Sequence, residues 1–220
     1  MNRPTRLFAS TALAMAAAVG LSGCSSKGEI VVDQGVGITA VRSPCPAVGI
    51  PNYTGDVTLF SSPANRSAAN IDVVAAMTNV RSQCNDSGDR IYSTVSFDVL
   101  ARRTNTSGAQ QVSLPYFVTV LRGGSQVVTK RLGTVTVSFA PGQERASASG
   151  SGSAYIDRAE ATLPAEIRER ITRKRKAGDS DAAVDPLADP QVKTAVERAT
   201  FELLVGFQLD ENQLSYNATR

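Results

Sequence analysis

Between residues 56 and 140 the side chains repeat with a period of two. Val95, Phe97 and Val99 are separated by polar Ser96 and Asp98, which predicts a half-buried strand over 92–102. The run 112–121 places Tyr116, Val118 and Val120 on one face and Phe117, Thr119 and Leu121 on the other. Pro115 lacks an N–H, so within this run it calls for an edge position or a bulge. Arg122-Gly123-Gly124-Ser125 is turn chemistry between two β-prone runs and predicts a hairpin, with return strands at 126–131 and 134–139. Shorter runs at 56–60 and 71–80 precede them, the second reaching towards Cys84 and the turn cluster Asn85-Asp86-Ser87-Gly88-Asp89. In 146–156 serines alternate with alanine and glycine, a pattern that suits a flat edge strand or a loop equally.

After residue 157 the period changes. Leu163, Ile167 and Ile171 stand four apart and predict a helix over 157–176, with Pro164 tolerated in its first turn. Asp189-Pro190 is a cap followed by a first-turn proline and opens a second helix to about residue 198. Apolar and aromatic residues return in 201–209, a last strand, and 211–220 is expected to fray. Many short strands with turns between them predict a mainly β chain, folded as an antiparallel β-sandwich with a small helical insertion before the last strand. The layout resembles an immunoglobulin-like sandwich, although the chain contains no tryptophan and so cannot have the buried Trp of antibody domains.

The N-terminal pattern is of another kind. Two positive charges, Arg3 and Arg6, precede an apolar stretch from Leu7 to Leu21 that is too short to span a bilayer of about 20 residues' depth. Polar Ser25, Ser26, Lys27 and Glu29 follow at once, as after a secretory signal. Leu21-Ser22-Gly23-Cys24 resembles the lipobox of bacterial lipoprotein precursors. The resemblance covers only these first residues. It implies cleavage before Cys24, diacylglycerol on the Cys24 thiol, and a membrane as partner through the N-terminal lipid. Ser25, in place of Asp, implies by the same resemblance an outer-membrane lipoprotein facing the periplasm. The expected organisation is a signal peptide at 1–23, a polar tether at 24–37, one sandwich domain at 38–210 with its helical insertion at 157–198, and the tail.

Of three cysteines, Cys24 would carry lipid, which leaves Cys45 and Cys84 to pair as a disulfide in an oxidising compartment. The chain has 23 basic and 20 acidic residues, and two of the basic ones belong to the leader. Such a balance lacks the basic excess of a nucleic-acid-binding domain, so no nucleic-acid partner is expected.

The chemistry available to the chain is narrow. No histidine is present, so Ser-His and Cys-His couples are excluded, and no metal site or cofactor is expected. The carboxylate pairs Asp179/Asp181 and Asp185/Asp189 lack the glycine turn and terminal Glu of a calcium loop and are expected to be solvated. A hydrolase without histidine would have to rest on such carboxylates or a serine. The most distinctive polar feature is the basic run of Arg168, Arg170, Arg173, Lys174, Arg175 and Lys176. It suits either the C-terminal end of a helix, where cations meet the negative end of the dipole, or the phosphates of anionic lipid and lipopolysaccharide. The functional expectation is a non-enzymatic envelope lipoprotein whose sandwich serves binding or assembly with an envelope partner, with anionic-lipid binding through 168–176 as the alternative.

Overall fold

The computed structural model describes residues 43–62 and 64–220. The expected leader, the tether and Cys24 lie outside the described residues. Eight strands form two sheets: β1 Ala47–Gly49, β2 Asp56–Phe60, β3 Ile71–Asn85, β4 Arg90–Arg103, β5 Gln110–Arg122, β6 Gln126–Phe139, β7 Arg145–Asp157 and β8 Phe201–Phe207. One sheet has the order β1-β8-β5-β6, the other β2-β3-β4-β7. The hairpin β5–β6 lies in the first sheet, while β4 and β7, which flank it in sequence, pair with each other in the second. This crossing between sheets is a Greek-key connection, and the chain is mainly β, folded as the two-sheet sandwich that the strand pattern predicted. One pair departs from the expected antiparallel arrangement: β1 runs parallel to β8.

The core follows from the alternation. On β4, Val95 and Val99 are fully buried and Phe97 nearly so, and they meet Leu114, Val118 and Val120 of β5 and Val135 and Val137 of β6. Between β3 and β4 the register shifts at Thr78–Arg81, where Asn79 takes a positive φ of 52°. Asparagine is among the few non-glycine residues that enter this region readily, so the bulge falls where the sequence tolerates it.

Pro115 sits in β5, a central strand, yet its position is locally an edge. The Gln208 N–H donates to the Pro115 carbonyl at 2.8 Å, just past the end of β8 at Phe207. Backbone N and O of one strand residue point the same way, so the missing N–H faces the place where β8 has already stopped. The runs 126–131 and 134–139 are one continuous strand, β6, not two. Gly133 does not break it because the Tyr116 ring lies over that glycine, where a Cβ would fall 2.4 Å from Tyr116 Cζ. The undecided stretch 146–156 is a strand, β7, paired with β4 along its whole length.

The helical insertion differs in detail from the expected pair of helices. The segment 157–176 forms α1 Arg158–Ala161 and α2 Ala165–Thr172, interrupted at Thr162-Leu163-Pro164. Proline disfavours helical geometry in the residue before it, and Thr162 is already extended with ψ 127°. The helix α3 Pro190–Arg198 starts as predicted: Asp189 accepts from the N–H groups of Gln191 and Val192, and Pro190 occupies the first turn. Val192 is fully buried, and the Arg198 carbonyl accepts from Arg122 Nε at 2.6 Å, which docks the insertion on the β5–β6 turn.

The tail beyond Asp210 does not fray. It forms α4 Glu211–Thr219, opened by a capping box between Asp210 and Gln213. Asn217 of α4 is buried and donates from one amide nitrogen to the carbonyls of Tyr53 and Asp56, both at 2.8 Å. Phe60 and Tyr216 pack edge to face, and Arg220 pairs with Asp56. The free edge of β2 is thereby covered.

Candidate functional site

Cys45 and Cys84 are joined in a disulfide, their Cα atoms 6.1 Å apart. Cys45 lies just before β1, at the edge of one sheet, and Cys84 near the end of β3 in the other. The bond therefore clasps the two sheets where the described chain begins.

The basic run is divided by its surroundings. Arg170 pairs with Asp189 at 2.5 Å. Arg173 and Arg175 both reach Asp181, and Arg175 is buried. Desolvation works to raise the Asp181 carboxyl, but the two guanidinium groups outweigh it and hold it below the usual carboxylate range. Asp189 is likewise held low, by Arg170 and then by the backbone of Gln191. The acidic loop thus takes up three of the six cations. Asp179 accepts from the Lys176 N–H, and Asp185 caps the short turn at Leu187, so these carboxylates have structural partners as well. Arg168, Lys174 and Lys176 are exposed. The helix itself ends at Thr172, so the last four basic residues lie beyond its final turn instead of within it.

One concavity was not signalled by any motif. It is a groove of about 820 Å³ on the outer face of β2-β3-β4-β7, between the β2–β3 connection and the β6–β7 turn. Val74, Ala76 and Leu100 form an apolar floor, and Leu100 is 54% exposed. Arg102 and Arg145 stand at one end, Arg102 bonded to Glu144 at 2.7 Å. The wall is rigid for an identifiable reason. Arg103 is buried, lies over the Phe139 ring, and donates to the carbonyls of Gln143 and Ala140 at 2.8 Å each. The only sequence signal for the groove was the break in the polar alternation at Leu100, an apolar residue on the solvent side of β4. The arrangement can hold an apolar group beside a cation.

Further along the same face Asp98 accepts from Asn79 Nδ2 at 2.6 Å on β3 and from Ser149 Oγ at 2.8 Å on β7. These hydrogen bonds hold its carboxyl below the usual range, with a smaller contribution from the charge of Arg81. Among the described residues no three Cys, Asp or Glu side chains converge as a metal site would need, and no helix is long and apolar enough to cross a membrane. Comparison with protein-family models, with curated proteins and with solved structures returns no match.

Proposed function

We propose that the chain is a lipid-anchored protein of the cell envelope, held at Cys24 in the outer membrane and facing the periplasm, whose sandwich binds or assembles with another envelope component and catalyses no reaction. The observation that carries this reading is the Cys45–Cys84 disulfide. Structural disulfides persist in oxidising compartments, so the bond supports export, and export is what the leader and Leu21-Ser22-Gly23-Cys24 require. Two acyl chains would make the attachment durable, since each buried methylene contributes about 0.8 kcal/mol and one chain alone binds marginally. The groove supports binding over catalysis: its lining brings together arginines, Gln143, Thr104 and Ser147 with an apolar floor, and no nucleophile there is paired with a base.

The test is Cys24→Ala expressed in a double-membraned bacterium. The variant is expected to leave the outer-membrane fraction, soluble in the periplasm where its leader is cut elsewhere and with the inner membrane where it is not, while the parent chain sediments with outer membrane. Continued sedimentation of the variant with the outer membrane would remove the lipid anchor from this reading.

A further inference from the structure

Four strands stand at sheet edges, and unpaired edges invite other chains. Three of them are blunted. β1 has only 3 residues. β2 is covered by α4, with Asn217 on the Asp56 carbonyl. On β7 the Tyr116 hydroxyl occupies the Ser151 carbonyl at 2.7 Å, the exposed side chains beside it are Ser147 and Ser149, and the exposed Tyr155 further along packs against Tyr92 of β4.

The remaining edge, β6, is 14 residues long and its first half is unlike the others. Val127, Val128 and Leu132 are 60%, 50% and 68% exposed. The orientation of its backbone follows from the neighbouring strands. Pro115 directs its carbonyl to Gln208, hence towards β8. The next residue, Tyr116, therefore faces β6, where it is opposite Gly133. Gly133 in turn faces β5, so Leu132 and, two residues earlier, Lys130 present their N–H and C=O groups outward. Among the described residues none bonds to these groups. An extended segment is the ligand that such a row of donors and acceptors recognises.

Charge decides between possible strands. From Gln126 to Phe139 there are two cations, Lys130 and Arg131, and no carboxylate. A second copy of β6 laid along this edge would bring like charges together, which is unfavourable across a strand pair. We propose that the Lys130–Leu132 edge of β6 takes up an extended segment of a partner protein, alternating apolar and acidic residues, as an added strand. Its apolar residues would cover Val128, Leu132 and the Lys130 stem on one face of β6, and its carboxylates would meet Arg131 on the other. This deepens the reading of the sandwich as a binding module and is independent of the lipid anchor.

The test uses the full chain carrying Cys24→Ala, an eight-residue peptide of alternating valine and glutamate, and a control of alternating valine and lysine. Amide hydrogen exchange is read residue by residue. The acidic peptide is expected to slow the Lys130 and Leu132 amides at least tenfold while leaving β7 unchanged, and the basic peptide is expected to do nothing. In Arg131→Glu the preference is expected to reverse, so that the basic peptide protects the same amides. A misfolded variant would bind neither, and its amide exchange would rise throughout, which separates it from a true reversal. Protection confined to other strands, equal binding of both peptides, absence of binding by the parent chain, or concentration-dependent self-protection of β6 without peptide would each overturn the proposal. Membrane fractionation reads only the anchor, so that reading and this one fail separately.

Discussion

Gly150 lies against the ring of Phe97, so that a Cβ on Gly150 would fall 2.3 Å from Phe97 Cζ. Phe97 is buried between the sheets and has no room to withdraw. Gly150→Ala should therefore destabilise the fold by overpacking, by about 1–3 kcal/mol. The urea midpoint measures this, and Ser149→Ala, a change on the solvent side of the same strand, should cost less. An unchanged midpoint for Gly150→Ala would show that the sheets are further apart than described.

That contact also explains why 146–156 could not be read from sequence. A strand is recognised by large apolar residues on its inner face, and here the inner face must be Ala146, Ala148, Gly150 and Gly152 because Phe97 and Val118 come from elsewhere to fill the space. The pattern that declares a strand was carried by its partner. On β4 the volume is local, in Val95, Phe97 and Val99, and the period of two was legible. The fate of Arg173 and Arg175 was not, since their charge is compensated by Asp181 across a loop whose path no local rule dictates. The helix α4 is a different case. Asp210-x-x-Gln213 is a capping-box signature, and it was available in the sequence before the structure showed both of its hydrogen bonds. The groove depends on three segments distant in sequence, and only Leu100 hinted at it.

The disulfide closes a loop between residues 39 apart in sequence. On the chain-entropy account, a closed loop of this length stabilises by about 4 kcal/mol. The double variant Cys45→Ala/Cys84→Ala is expected to lose about that much in urea unfolding, and reduction of the parent chain should reproduce the loss. A difference below about 1 kcal/mol would mean that the clasp between β1 and β3 contributes little beyond packing.

The C-terminal helix should be a structural part of the sandwich. Asn217→Ala removes the donor that satisfies two carbonyls, Tyr53 and Asp56, and is expected to cost about 1–3 kcal/mol. Because β2 is an edge strand, the loss should also appear locally, as faster amide exchange in β2 with β4 unaffected. Equal acceleration in both strands would indicate global destabilisation and no specific role for α4 at the edge.

Asp98 makes the fold sensitive to acid. Its carboxylate accepts from Asn79 and Ser149, on the strands to either side, and its folded pKa lies below the ordinary carboxylate value. A depressed folded pKa means that ionised Asp98 favours the folded state. That contribution is complete above the ordinary value and is lost as pH falls through the lower folded value. Asp98→Asn keeps the shape and removes the titration. The parent chain should therefore lose more stability than Asp98→Asn between pH 6 and pH 2.5, with the two curves converging at the acid end. Urea midpoints at a series of pH values measure this, and parallel curves for the two proteins would show that Asp98 is not held by Asn79 and Ser149 in solution.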